Sequence, residues 1–462
     1  MSFPTYPKYK DSGVEWLGTV PEHWEVQPIK HIVSIPVTDG PHETPEFIDE
    51  GIPFVSAEAV SSGVIDFSKI RGFIAESDHR RYCQKYKPQY NDIYMVKSGA
   101  STGTTTIVET DCDFSIWSPL AAIRCGARAL PRFALNFLRS RNFQEGVTLN
   151  WSFGTQQNIG MNVIENLAIT VPPLPEQLAI ASFLDRETSK IDALVAEQRK
   201  LIELLKEKRQ AVISHAVTKG LNPDARMKDS GIEWLGMVPK HWEVKVLRRF
   251  NCKVQTGPFG SQLHAEEYIS GGTPVVNPTH MVNGSIVPSD EITVSDNVLA
   301  RLPHQRLEVG DVIFSRRGEL GRCALVTETE VGWLCGTGSM ILRLHHSEYI
   351  GGYLSLFLSL DVLRQYFESF SIGTVMDSLS SETLLAMPLV VPPINEQLFI
   401  VQFVATHSAV IDSLVAAAKL AVDLLQERRT ALISAAVTGK IDVRCHGEPS
   451  ASNRMSYEAQ LS

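Results

Sequence analysis

The chain has 462 residues, a formal net charge of −9, and 44% hydrophobic against 21% charged residues. That length exceeds one ordinary core and implies two or more domains, and the composition is that of a folded globular chain. The acidic balance excludes a broad phosphate-neutralising surface as the main source of any nucleic-acid affinity.

The N-terminus, Met1 to Gly13, lacks the apolar core of a secretory signal, so none is expected. The most apolar stretch, Ala409 to Leu425, carries Asp412, Lys419 and Asp423, which argues against a membrane span. Seven cysteines are scattered with no C-x-x-C spacing. This fits a reducing cytoplasm and speaks against a disulfide framework or a zinc site.

In chain order the first feature is the segment 11–26, DSGVEWLGTVPEHWEV, which returns at 229–244 as DSGIEWLGMVPKHWEV with 13 of 16 positions identical. A second block, VPPLPEQLAIA at 171–181, returns as VPPINEQLFIV at 391–401. The offsets are 218 and 220, so the chain is one module written twice. Trp16, Trp24, Trp234 and Trp242 in the first block read as apolar anchors, with ligand stacking as the alternative.

Between the blocks lie divergent inserts, 27–170 and 245–390. Both show short β-like runs split by turn residues, with helical patches near Arg132–Phe143 and Tyr353–Phe370. Two correspondences survive the divergence. Asn91-Asp-Ile-Tyr-Met-Val-Lys-Ser-Gly aligns with Gly310-Asp-Val-Ile-Phe-Ser-Arg-Arg-Gly, and the Gly154 to Asn158 run aligns with Gly373 to Asp377. One frame carrying different polar side chains suits two readers of different targets. Solvated hairpin turns remain the alternative.

Each second block opens a long helix. Pro175 and Asn395 suit its start, Glu176 and Glu396 its first turn, and Gly220 and Gly439 its stop. The apolar positions Ile191, Leu194, Leu201, Leu205 and Val212 form a heptad seam. Ile411, Leu414, Ala418, Ala421, Leu425 and Leu432 form the second. About 42 residues make a rod of roughly 60 Å, and the two copies are expected to pair antiparallel about a local two-fold axis.

Catalytic motifs are missing. No G-x-x-x-x-G-K-[ST], no H-E-x-x-H and no N-P-P-[YF] occur, and Asn277-Pro-Thr-His is a poor relative of the last. A stand-alone nuclease or methyltransferase with a hidden site and a purely structural adaptor stay as competing readings.

The D-S-G-[VI]-E-W-L-G-x-[VI]-P-x-H-W-E segment, the P-P-x-x-E-Q helices and the G-D-[VI]-x-x-x-R-x-G turn at 310–318 together resemble the specificity (S) subunit of type I restriction–modification systems. The resemblance covers both halves of the chain. It implies an α+β fold: two divergent target-recognition domains separated by an antiparallel pair of long coiled-coil helices with pseudo-two-fold symmetry. The expected segments are a first recognition domain at 1–170, a spacer helix at 171–221, a second domain at 222–390, a second helix at 391–441, and a tail at 442–462.

Each domain would read one half of a split double-stranded DNA target, and the helices would set the unread gap. The chain would carry no catalytic activity and no cofactor. Two modification (M) subunits would bring S-adenosylmethionine, and two restriction (R) subunits would bring ATP and Mg²⁺. The expected setting is cytoplasmic, with no membrane partner. Candidate DNA contacts in the first domain are Arg71, Arg80, Arg81, Lys85, Lys97, Ser98, Ser101, Thr102, Gln156, Gln157 and Asn158. In the second they are Gln262, Asn277, Arg316, Arg317, Arg322 and Thr374. Arginine suits guanine or phosphate, and amides suit adenine edges. The first domain departs from the family pattern by carrying Lys97 where arginine is favoured, which leaves its contacts less defined than those of the second.

Overall fold

A computed structural model describes residues 3–61, 63–153, 157–282, 284–318, 320–345, 349–371 and 379–446. It divides into two compact units, one of residues 1–199 with 419–462, the other of residues 200–418. Both long helices contribute to both units.

The first unit is built on a four-stranded antiparallel sheet in the spatial order Thr38–Asp39, Leu120–Ile123, Ile93–Val96, Thr105–Ile107. Every residue of the strand Ile93–Val96 is buried, which explains its unbroken apolar run. A smaller sheet joins Ile52–Val55 antiparallel to Phe73–Ile74 and parallel to Ser115–Ile116. The helical patch is two helices, Pro131–Leu138 and Arg141–Leu149. Ser140 separates them, its hydroxyl accepting from the Phe143 N–H at 3.2 Å as an N-cap.

The second unit repeats the plan. Its four-stranded sheet runs Cys252–Thr256, Ser339–Leu344, Val312–Ser315, Cys323–Leu325. Its smaller sheet again holds one parallel pair, Thr273–Val276 with Leu334–Cys335. The helices here are Gly351–Leu358 and Asp361–Ser371. The strand before each long helix pairs back onto the end of the Trp segment: Ala168–Val171 with Glu25–Pro28, and Pro388–Val391 with Glu243–Val246. The repeated blocks therefore clamp each insert at both of its ends.

Trp24 and Trp242 are fully buried in the main cores of their units. Trp16 and Trp234 pack against those cores from the edge. Anchoring, not ligand stacking, is their visible role.

The long helices span Leu174–Lys219 and Ile394–Val437, 46 and 44 residues. At 1.5 Å per residue that is nearly 70 Å each, longer than the sequence spacing suggested. Gly220 and Gly439 follow them with φ of +75° and +72°, the left-handed conformation of a helix C-terminal stop. In the first unit Asp192 meets Arg429 at 2.9 Å, and Thr170 donates to the Val437 carbonyl, so the two helix segments run antiparallel. In the second unit Arg209 meets Asp412, while Ile213 and Val217 share a core with Ile400 and Val404, again antiparallel.

The seam differs from the expected one. Ile191, Val195, Ile202, Leu205 and Ile213 are buried, whereas Leu194 and Leu201 are about half exposed. In the second helix Ile411 and Ala418 are buried and Leu414 is exposed. Apolar residues sit side by side at 194–195 and 201–202, so the stripe is wider than one partner covers. Packing, not periodicity, chose which edge of it is buried. The second helix also holds an 18-residue window of mean hydropathy 1.7 of which 17% is buried, so by length and composition it is apolar enough to cross a membrane. Within this helix Asp412 pairs with Arg209, and Ile411 and Ala418 pack inside the protein.

Candidate nucleic-acid interface

Register places the candidate loops of the two units at equivalent positions. Met95 faces Ala121, which also faces Asp39; Phe314 faces Met340, which also faces Thr256. Lys97 and Arg316 thus leave equivalent strands one step after Val96 and Ser315, and Asp39 corresponds to Thr256. The frame below them is alike as well. Arg124 holds Asp92 at 2.7 Å, and Arg343 holds Asp311 at 2.7 Å.

In the first unit the loop 97–103 meets a segment distant in sequence. The Gly99 N–H donates to the Gln157 carbonyl, the Ile159 N–H donates to the Lys97 carbonyl, and Ser98 bridges to Asn158. Thr102 Oγ1 donates to the Gly99 carbonyl at 2.7 Å, closing the turn. Gln157 and Asn158 are exposed beside Ser98 and Ser101. Gln156 lies outside the described residues.

The first unit's candidate DNA-contacting cations are engaged by acids. Lys97 is 13% exposed and pairs with the fully buried Asp39 at 2.9 Å. Lys85 meets the same carboxylate at 2.5 Å, and His42 lies 3.1 Å from it. Burial by itself would raise the Asp39 carboxyl, but hydrogen bonds from Lys85 and Lys97 outweigh it and hold it below the ordinary carboxylate range. Arg71 pairs with Glu58 and stacks over Trp117, Arg80 pairs with Glu76, and Arg81 pairs with Glu43 and Asp78. The Arg80–Glu76 and Arg81–Glu43 pairs are largely exposed, a setting in which an ion pair adds little stability and opens readily for a phosphate.

The second unit has no acid at the Asp39 position. Thr256 stands there, and Arg316 instead lies over the Phe259 ring at 5.5 Å with its buried Nε unpartnered. Phe259 is 52% exposed. The turn bearing it is pinned by Gly257: a Cβ there would stand 1.9 Å from the Gly336 carbonyl oxygen, as one at Gly40 would from that of Ile116. Arg317 is exposed beside Arg316, and Arg322 follows the turn. Gln262 accepts from the Phe259 N–H, and so braces that loop. Asn277 is packed into its own turn, with its Oδ1 against Gly336 and its N–H donating to His280 Nδ1. Thr374 lies outside the described residues.

Sequence reading missed Asp39, His42 and Phe259. The one signal was the Asp39-Gly-Pro-His motif set against Thr256-Gly-Pro-Phe, an aligned turn of opposite character. Among the described residues no cluster of three or more His, Cys, Asp or Glu side chains is placed to hold a metal ion.

One frame thus occurs twice in the chain, carrying a different loop set each time. The family model for the type I restriction modification DNA specificity domain matches twice, at residues 21–204 and 239–421, and the chain belongs to that family. It is 23% identical over 438 residues to the putative type I restriction enzyme MjaX specificity subunit of Methanocaldococcus jannaschii, covering 93% of this chain and 96% of that one. To the type I restriction enzyme EcoKI specificity subunit of Escherichia coli K12 it is 21% identical, covering 93% and 92%. In fold it is similar to a chain from a type I R-M system complex (TM-score 0.62, 17% identity, 90% and 98% covered). It is also similar to the HsdS subunit of Thermoanaerobacter tengcongensis (TM-score 0.50, 17% identity, 91% and 98% covered). The chain is a specificity subunit of a type I restriction–modification system.

Proposed function

We propose that this chain chooses the DNA sequence on which a type I restriction–modification enzyme acts, each unit reading one half of a bipartite target. The observation that carries the proposal is the pairing of a common sheet with unlike loops at equivalent register. Lys97 held by Asp39 stands in one unit, and Arg316 beside Phe259 stands in the other. The second unit reads with Arg316 and Arg317, whose guanidinium forks match the acceptor edge of guanine. The first reads with the neutral donors and acceptors of Ser98, Ser101, Thr102, Gln157 and Asn158, while Arg80 and Arg81 touch phosphate.

The long helices set the length of the unread gap and dock two M subunits; the second helix leaves Leu398, Phe399 and Leu414 exposed in one unit and Leu420 and Leu424 exposed in the other. The chain is a non-catalytic, cytoplasmic subunit without a cofactor of its own. Methyl transfer to adenine with S-adenosylmethionine belongs to M, and ATP-driven translocation and cleavage belong to two R subunits.

Residues 27–170 carry 13 Lys and Arg against 15 Asp and Glu, and residues 245–390 carry 11 against 15. Binding by the isolated chain is therefore weak and salt-sensitive, and it tightens when M supplies basic surface. The decisive experiment replaces residues 27–170 with the insert of a relative and sequences the methylome of cells carrying the M partner. One half of the methylated motif changes and the other stays. An unchanged motif overturns the proposal.

A further inference from the structure

The first unit contains a cavity of about 570 Å³ whose lining includes four arginines, Arg132, Arg139, Arg186 and Arg429, and one acid, Asp185. They come from three elements. Arg132 lies in the first turn of the helix Pro131–Leu138 and Arg139 caps its end, Arg186 lies in the first long helix, and Arg429 lies in the second. Three of these cations have carboxylate partners: Arg132 with Glu109, Arg186 with Glu187, and Arg429 with Asp192. Arg139 is different. It donates to the carbonyls of Gly63 at 2.6 Å and Thr105 at 3.1 Å, two neutral acceptors. Burial pushes its guanidinium down to about 10, and the like charges of Arg429 and Arg132 push in the same direction, against a smaller opposing pull from Glu109 and Asp192.

A desolvated cation facing like charges across a cavity is costly unless an anion joins it. Guanidinium forks match the oxygens of a phosphate in bidentate fashion, and several converging forks favour a multiply charged oxyanion over a single carboxylate. The volume falls within the range of small-ligand sites and exceeds what one isolated ion fills.

We propose that this cleft is a phosphate-binding site, with Arg139 at its base and Arg132, Arg186 and Arg429 closing on the ligand from its sides. The phosphate comes from one of two sources: a free polyphosphate, or the backbone of the bound duplex. The second source rests on the DNA-reading role proposed above; the first does not.

The test uses the full chain and two probes. Inorganic pyrophosphate is titrated against sodium chloride of matched ionic strength while thermal unfolding is followed. At a hundredfold excess over Kd, a ligand bound only by the folded state raises Tm by roughly 5 °C or more for a unit of this size. In parallel, the slope of log K against log salt is measured for a duplex. Arg429→Gln alters a partly exposed residue on the cavity's side, and Arg139→Lys keeps the charge while removing the fork. A pyrophosphate shift that both substitutions diminish, with an unchanged duplex slope, assigns the site to free phosphate. A slope reduced by about 1 in Arg429→Gln, without a pyrophosphate shift, assigns it to the DNA backbone. Both effects together support the shared chemistry. Neither effect overturns it. If the wild-type chain binds no duplex at all, the DNA-reading role fails, and the pyrophosphate titration still decides this site.

Discussion

Replacing Asp39 tests the contrast between the two units most directly. Asp39 is fully buried and receives Lys97 at 2.9 Å and Lys85 at 2.5 Å. Removing one partner from a buried ion pair costs about 3–5 kcal/mol, because the other charge stays desolvated. Lys97 is 13% exposed and bears that cost, whereas Lys85 is 49% exposed and rehydrates, so its share is discounted. Asp39→Asn is therefore expected to lose about 3 kcal/mol, or roughly 6–12 °C in the Tm of the first unit.

The pH dependence follows from the depressed Asp39 carboxyl. Its stabilisation is present in full above the unfolded value of about 3.9 and is lost as pH falls through the lower folded value. The gap between wild type and Asp39→Asn, measured by urea unfolding across pH 2 to 7, narrows only at the acid end. A gap below about 1 kcal/mol at pH 7, or one that stays constant into acid, refutes the reasoning. Asp39→Thr, which installs the residue the second unit has at this position, also frees Lys97. The salt slope of duplex binding is then expected to steepen by about 1.

Arg316→Ala is expected to weaken duplex binding by about 1–3 kcal/mol and to relax one half-site only, read out by methylome sequencing; a change in both halves contradicts the assignment. Trp24→Ala and Trp242→Ala each remove a fully buried anchor and cost about 3–5 kcal/mol, with hydrogen exchange rising in the unit that holds the substituted residue. Adding seven residues to both long helices keeps the heptad phase and lengthens each by about 10 Å. The methylated motif then gains about three base pairs of spacer with unchanged half-sites. Leu420→Asp and Leu424→Asp alter exposed positions, so Tm stays within about 2 °C while co-purification with M is lost.

The duplication, the long helices with their glycine stops, and the alignment of Lys97 with Arg316 were legible because each depends on local chemistry. An identical block, a left-handed stop or a strand running into a glycine turn needs no distant partner to be recognised. The four-stranded sheets were legible only as short β-like runs, since their order joins strands tens of residues apart. The buried edge of the helix stripe was misread for a related reason. Leu194 and Val195 are both apolar, and only the packed partner decides that Val195 goes inside.

The sequence alone determined that one module occurs twice, that its copied segments are frame and its inserts are not, and to which family it belongs. Repeats and motifs are carried by residue order, so no coordinates are needed to read them. Only the tertiary structure decided what the cations do. Lys97 lies 58 positions from the Asp39 that neutralises it, and Arg429 lies 290 positions from the Arg139 it faces across the first unit's cavity. Electrostatic partnership is a property of distance in space and of burial. For these residues the chain's folding, and not its order, set both.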